Sequence, residues 1–257
     1  MLAPLTFESL TAAFLVALAL ASPATQASSR RRAQVALLCA AAAIGVVFAS
    51  QAGPDLRGWL GHGYLVAGYW IPALLAPSRV HAGHFQSWLV RTDERCRRVL
   101  IGPPAWATPV LELSYLLCYV LVPTAFVLVW ANGTIADVDR FWTAVLLSGF
   151  VCYGTLPWLV SRPPRVLDEL AIPRSRLRSA NEFVLRRMSH GLNTFPSGHV
   201  AVSLAAALEV SDVWRAPGIA LTVVAAMIAA GAVIGRYHYV VDVLLGAAIG
   251  ITISRLV

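Results

Sequence analysis

The chain has 257 residues, of which 58% are hydrophobic and 13% are charged, and its mean hydropathy is +0.69. These values exclude an ordinary soluble domain and are typical of a protein with several membrane-spanning helices. The net charge of +7 rests on 20 arginines and no lysine. Because these arginines lie in short segments between apolar runs, they fit positive-inside topology or phosphate binding, and we expect no nucleic-acid partner.

Eight apolar runs approach the length of about 20 residues that a bilayer-spanning helix needs. They are 7–22, 35–52, 59–76, 108–130, 141–160, 199–213, 217–235 and 239–257. The third contains Gly61, Gly68 and Pro72, which weaken a helix, so we expect a broken or interfacial helix there. Its aromatic residues fit a membrane-interface belt: Trp59, Tyr64, Tyr69 and Trp70. The predicted fold class is all-α, a polytopic membrane helix bundle.

Two polar segments separate these runs. Residues 85–98 mix aromatic and charged side chains as an amphipathic helix in the headgroup layer does. His81 and His84 could share a helical face beside it, but no third ligand accompanies them, so we predict no metal site. The second segment, residues 166–194, is rich in arginine and should contain a helix near residues 181–189. A segment of this length is more often a functional cover than a plain connector.

Two short polar stretches stand at the ends of apolar runs, where polar residues are costly without a task. In the Pro-Ser-Gly-His sequence at 196–199, Ser197 is expected to cap the following helix and Gly198 to let a ligand approach the backbone. His238 and Asp242 are four residues apart, so on a helix their side chains share one face and can meet. Such a carboxylate would hold one imidazole nitrogen and leave the other free to attack.

In an up-and-down bundle, helix parity brings three polar clusters to one side of the membrane. Arg162 and Arg165 follow the fifth run, His199 begins the sixth, and His238 lies between the seventh and the eighth. Histidines and arginines beside a helix N-terminus suit a site that handles a phosphoryl group. Glu112, just inside the fourth run, should face the interior and be paired, and it serves either helix packing or the site.

These residues resemble the membrane-bound branch of the type 2 phosphatidic acid phosphatase family, whose signatures are Lys-x6-Arg-Pro, Pro-Ser-Gly-His and Ser-Arg-x5-His-x3-Asp. Arg162-Pro163 is similar to the end of the first signature. Residues 196–199 match the second in full, and His238 with Asp242 matches the close of the third. The resemblance covers roughly residues 108–257.

The sequence departs from the family pattern at two positions. Thr155 stands where the first signature has its lysine, and Ala232 stands where the third has its arginine, which occurs at Arg236 instead. In these forms the motifs look more like those of inositol phosphorylceramide synthases and their bacterial relatives. That branch transfers a phosphoryl head group between lipids, so hydrolysis and transfer both remain open.

The resemblance implies a mechanism through a phosphohistidine. His238 would attack phosphorus while Asp242 holds its other nitrogen, and His199 would protonate the leaving lipid oxygen and then deprotonate the incoming water or alcohol. The implied phosphate-binding residues are Arg162, Arg165, Ser197, Gly198 and Arg236. No metal and no other cofactor is expected, because arginines and a helix N-terminus supply the positive charge.

The resemblance also implies an architecture and a location. We expect a six-helix phosphatase core plus about two N-terminal helices, with residues 1–57 as a transmembrane hairpin and residues 58–257 as the phosphatase-like domain. The protein should be a multi-pass protein of the cell membrane. Counting arginines places the site on the cytoplasmic side, whereas members of the family usually present it to the outer face, which we favour.

The predicted function is hydrolysis of a phosphomonoester or diphosphate head group on a membrane lipid. The expected partners are the lipid bilayer and a lipid phosphate: phosphatidic acid, phosphatidylglycerol phosphate or polyprenyl diphosphate. One alternative is a lipid phosphotransferase, which needs an alcohol acceptor. Another is a non-catalytic anion-binding carrier, which would need the arginines but no nucleophile.

Overall fold

The computed structural model describes residues 3–77, 83–99, 106–167 and 175–257. These residues form twelve α-helices, and apart from an isolated bridge between Ser161 and Asn193 they contain no β-structure. The helices are α1 (Thr6–Ala21), α2 (Ser29–Ala49), α3 (Pro54–Ala73), α4 (His84–Val99), α5 (Ala107–Leu116), α6 (Cys118–Asn132), α7 (Ile135–Gly154), α8 (Pro164–Leu167), α9 (Arg176–Met188), α10 (Gly198–Val213), α11 (Arg215–Ile234) and α12 (Val240–Leu256).

All eight apolar runs are helical, and the prediction of an all-α polytopic bundle is confirmed. Within the described part of the chain, three segments are long and apolar enough to cross a membrane alone: Thr6–Ala24, α2 and α11. The bent pair formed by α5 and α6 adds a fourth. The division of the chain at residue 57 falls in the first turn of α3 and stays a prediction.

Of the two alternatives for the third run, the broken helix was wrong, because α3 runs through 20 residues without a break, and the interfacial helix stays a prediction. Its glycines serve close packing against α7. A β-carbon at Gly61 would lie 2.3 Å from the Trp142 ring, and one at Gly68 would lie 2.3 Å from the Phe150 ring. Packing of these two large aromatic side chains outweighs the weak helix propensity of glycine.

The break occurs instead in the fourth run, where α5 and α6 meet at Leu117 with a bend of 58°. The two halves pack against different neighbours, α5 against α9 and α11, and α6 mainly against α7 and α10. Pro123 lies inside α6, six residues after Leu117, and a proline inside a helix removes a backbone hydrogen bond and favours a kink. The bend also agrees with the different packing of the two halves, in which Glu112 and Tyr115 of α5 are buried.

Both polar segments contain the expected helix. The first is the amphipathic α4, which buries Gln86, Leu89 and Asp93 and exposes its arginines, and the second is α9, which begins five residues earlier than predicted. His81 and residues 168–174 lie outside the described residues.

Helix α10 lies at the centre of the bundle and packs against α6, α7, α11 and α12. Two glycines of α12 allow an especially close approach, since β-carbons at Gly246 and Gly250 would lie 2.4 Å from the carbonyl oxygens of Ser197 and Ala201. Small residues four apart are the usual means by which membrane helices approach closely. This contact places the first turn of α12, with Asp242, beneath the start of α10.

Polar residues also gather at the opposite end of the bundle, at the N-termini of α1, α3 and α7. Glu8 and Arg57 form a buried ion pair of 2.6 Å, and Asp139 accepts hydrogen bonds from the backbone of residues 6 and 7. Arg140 pairs with the buried Glu209. These contacts hold the helix ends together at this end of the bundle. The motif histidines, His199 and His238, lie at the opposite end.

Candidate active site

The two motif histidines meet at one end of the bundle. His199 lies in the first turn of α10 and His238 lies just before α12, and their ring centroids are 5.7 Å apart. Both rings line one cavity together with Arg165, Asn193 and other residues. Since reacting atoms stand about 3–3.5 Å apart before a displacement, a single phosphoryl group between the rings could contact both.

Asp242 holds the ring of His238. Nδ1 of His238 lies 3.3 Å from Oδ2 of Asp242, and both side chains are buried. Nδ2 of Asn193 donates to the same carboxylate oxygen at 2.8 Å and to the hydroxyl of Ser161 at 3.2 Å. His238 precedes the first residue of α12, so the pair meets across the start of this helix. This contact leaves Nε2 of His238 available for attack.

Backbone hydrogen bonds join the three polar clusters that parity assigns to one side. The Ser197 amide donates to the Asp242 carbonyl at 2.9 Å, and the Arg165 amide donates to the Arg236 carbonyl at 2.8 Å. The Asn193 amide donates to the Ser161 carbonyl at 2.9 Å. The ends of α7, α10 and α12 are thereby fixed to each other, which gives the site a defined geometry.

The three candidate phosphate-binding arginines have different surroundings. Arg165 lines the cavity, and its guanidinium lies 5.7 Å from the centre of the Tyr237 ring. The side chain of Arg162 is exposed and does not line this cavity. The guanidinium of Arg236 forms an ion pair with Asp93 of α4 and lines a separate cavity. Of these three arginines, the structure thus places Arg165 beside His199 and His238.

Ser197 and Gly198 lie beneath the histidines and are not among the cavity-lining residues. Ser197 is the N-cap residue of α10 as predicted, but its buried hydroxyl makes no hydrogen bond within the described part of the chain. A β-carbon at Gly198 would lie 2.1 Å from the Tyr153 ring. Close packing against Tyr153 accounts for this glycine without a ligand.

An aromatic wall that the sequence reasoning missed completes the cavity. Tyr69, Tyr115 and Tyr237 line it, and the rings of Tyr115 and Tyr237 stack with centroids 3.9 Å apart. The sequence analysis assigned Tyr69 to the membrane interface. The Arg-Tyr-His-Tyr sequence could have indicated Tyr237, whereas no local signal marks Tyr115. The cavity holds about 10 Å³, roughly one water molecule.

The buried Glu112 contributes both to helix packing and to the cavity wall, the two roles that the sequence left open. Its carboxylate accepts hydrogen bonds from Asn181 at 2.6 Å, from Arg178 at 3.2 Å and from the hydroxyl of Tyr237. Arg178 also donates to the Gly235 carbonyl. Glu112 therefore fastens α9 to α5 and supports a tyrosine of the cavity wall.

We expect Glu112→Ala to destabilise the protein by about 3–5 kcal/mol, because it removes the buried carboxylate that pairs with Arg178 and accepts from Asn181 and Tyr237. Glu182→Ala is the matched control, since Glu182 is an exposed partner of the same guanidinium, and its loss should cost less than about 1 kcal/mol. Thermal unfolding in detergent measures both changes. Similar losses for the two variants would contradict the role of Glu112.

The other described histidines lie outside the pair formed by His199 and His238. His190 stacks on Tyr69 with ring centroids 4.4 Å apart, and burial lowers the pKa of His190 to about 4, which keeps its ring neutral at pH 7. His62 packs edge-on against Trp142. Among the described residues, no group of three or more His, Cys, Asp or Glu side chains is placed to hold a metal ion.

Residues 138–257, from the first turn of α7 onward, match the model of the PAP2 superfamily. The matched region contains both histidines, Asp242 and the three candidate arginines. It supports the type 2 phosphatidic acid phosphatase superfamily, a membrane location, and a phosphatase or phosphotransferase type of function on lipid phosphates. No curated protein and no solved structure matches the chain.

Proposed function

We propose that this protein is a membrane phosphatase that hydrolyses a phosphomonoester or diphosphate head group through a phosphohistidine. The approach of the His199 and His238 rings to 5.7 Å, with Asp242 behind His238, carries the proposal. A permeation path for anions would need positive charge but no imidazole with a carboxylate behind it. Covalent catalysis requires a nucleophile whose orientation is fixed by a neighbouring group. His238 with Asp242 behind its ring meets this requirement.

In the first step, Nε2 of His238 attacks phosphorus, and a nitrogen–phosphorus bond forms as the bond to the lipid oxygen breaks. His199 gives its proton to that oxygen, and the leaving group departs as the lipid alcohol from a phosphomonoester or as the lipid monophosphate from a diphosphate. In the second step, water attacks the phosphohistidine while His199 takes a proton from it. The nitrogen–phosphorus bond breaks, and inorganic phosphate is released with His238 restored.

Charge on the transferring group is balanced by Arg165, whose guanidinium lies at the cavity. Guanidinium groups bind phosphate oxygens through paired hydrogen bonds and keep their charge at all physiological pH values. The orphan amides at the start of α10 add a partial positive charge nearby. Fixed positive groups of this kind favour the transition state, in which charge spreads over the equatorial oxygens.

We propose that the substrate is an amphiphile whose phosphate lies at the level of the headgroups. The cavity lies at the helix ends of the bundle, and α4, beside it, has the amphipathic pattern of a helix in the membrane interface. Phosphatidic acid, phosphatidylglycerol phosphate and polyprenyl diphosphate all meet this requirement.

Release of inorganic phosphate from these three lipids by the purified protein tests the proposal. We expect release from at least one of them without any added alcohol. Products that form only after an acceptor lipid alcohol is added would instead support the phosphotransferase. No reaction under either condition, with intact binding of the lipid phosphate, would support the anion-binding carrier.

We further propose that the site faces the outer side of the cell membrane. Several arginines at this end have partners in the structure, since Arg178 pairs with Glu112 and Arg236 pairs with Asp93. The number of arginines at this end of the bundle therefore depends on such pairing around the site as well as on membrane topology. Labelling intact cells with a membrane-impermeant maleimide tests this side, using Ser179→Cys in α9 and Ala136→Cys at the opposite end of the bundle. Labelling of the second variant alone would contradict it.

A further inference from the structure

The surface helix α4 turns two buried polar side chains towards the catalytic end of the bundle. Gln86 and Asp93 are seven residues apart, so they lie on one face of the helix two turns from each other. Gln86 is 6% exposed and Asp93 is 3% exposed, although most polar residues of this helix face outward. Buried polar groups are costly unless they are paired, so their partners indicate their task.

Asp93 binds both ends of the short loop that carries His238. Its Oδ2 accepts from the guanidinium of Arg236, and its Oδ1 accepts from the amide of Val240 at 3.0 Å. Arg236 has a φ of 60°, a left-handed conformation that costs energy for a residue with a β-carbon. One carboxylate thus binds the side chain of a strained residue two positions before His238 and the first amide of α12 after it.

Gln86 makes a similar connection to a second loop. Its Nε2 donates to the hydroxyl of Tyr239 at 2.6 Å, and its Oε1 accepts from the amide of Arg162 at 2.7 Å. The Tyr239 hydroxyl donates to the Arg162 carbonyl at 2.9 Å. Leu89, between the two polar residues, packs in a buried cluster with Tyr239 and with Phe195 of the other motif. Helix α4 therefore contacts each of the three chain segments that carry the sequence motifs.

We propose that Asp93 is a positioning residue, which holds the 236–240 loop so that the His238 ring faces His199, and that Gln86 supports it from one helical face. Arg236 then acts through Asp93, not by binding the substrate phosphate. This proposal rests on the proposed function and identifies a contribution from α4, which lies outside the region that matches the PAP2 superfamily.

Steady-state kinetics on a lipid phosphate test this role. We expect Asp93→Ala to lower kcat about 100-fold, because a displacement of about 1 Å costs that much, while KM changes less than about threefold. Asp93→Asn should recover a large part of the loss, since its amide oxygen can still accept from Val240. Glu94→Gln is the matched control on the exposed side of the same helix, and we expect activity within about twofold of the unmodified chain.

A double-mutant cycle separates positioning from direct phosphate binding. If Arg236 acts through Asp93, the variant with both Asp93→Ala and Arg236→Gln should be no slower than Asp93→Ala alone. Multiplied losses would show that Arg236 binds substrate independently of Asp93. That result, or a normal kcat for Asp93→Ala, would overturn the proposal while the phosphatase activity itself stands.

Amide hydrogen exchange provides a readout that does not depend on activity. We expect the amides of residues 236–240 to exchange at least about tenfold faster in Asp93→Ala than in Glu94→Gln, with Asp93→Asn between the two, since an amide exchanges when its local structure opens. Unchanged exchange would overturn the positioning role. If the unmodified chain releases no phosphate, the proposed function fails, and this measurement still decides whether Asp93 holds the loop.

Discussion

Replacing His238 with alanine is expected to lower phosphate release by about 10⁴-fold or more, the size of effect that loss of a catalytic nucleophile produces. In this variant, no imidazole nitrogen oriented by Asp242 is present to attack the phosphorus atom. His199→Ala should cost about 10²–10⁴-fold, as for other general acids and bases. His84→Ala is the control, because His84 is exposed at the start of α4.

A substrate with a good leaving group distinguishes the two histidines. A p-nitrophenolate leaves without a proton, so with p-nitrophenyl phosphate the variant His199→Ala should recover much of the rate of the first step. His238→Ala should stay inactive with the same substrate and form no labelled phosphoenzyme. Full activity of His238→Ala would rule out the phosphohistidine, and near-normal anion transport in that variant would favour the carrier.

The second large effect concerns the arginines. We expect Arg165→Gln to slow phosphate release at least about 100-fold, because it removes the guanidinium that lines the cavity beside both histidines. Arg162→Gln should cost less than about tenfold, since that side chain is exposed and the contacts of residue 162 with Gln86 and Tyr239 are made by its backbone.

This pair is informative because the family resemblance and the structure rank the two arginines differently. The resemblance to Lys-x6-Arg-Pro assigns the phosphate to Arg162, whereas the geometry favours Arg165. Rates for the two variants on one lipid phosphate decide between them. A loss at Arg162 as large as that at Arg165 would mean that the Arg162 side chain turns to the substrate during turnover.

The bend between α5 and α6, against the unbroken α3, shows where sequence reasoning about the fold is limited. Gly61 and Gly68 weaken a helix in isolation, and Pro72 lies inside the same run. Yet α3 is continuous, because its glycines receive Trp142 and Phe150. The fourth run bends at Leu117, six residues before Pro123, and its two halves pack against different helices. Local propensity is small compared with the packing of large aromatic side chains.

By itself, the sequence determined the fold class of this protein and the positions of its two polar motifs. The apolar runs required a helical membrane bundle, the Pro-Ser-Gly-His segment marked the start of α10, and the spacing of His238 and Asp242 predicted their contact. These inferences depend on helix periodicity and on the cost of polar groups in lipid, which act over a few residues and are therefore visible in one stretch of sequence.

Only the tertiary structure decided which residues surround the two imidazoles. It placed Arg165 at the cavity and Arg236 against Asp93, and it brought Tyr69 and Tyr115 into the cavity wall. These assignments depend on contacts between residues far apart in the chain. Such contacts follow from how side-chain volumes fill the space between helices, and no short-range pattern in a sequence encodes that packing.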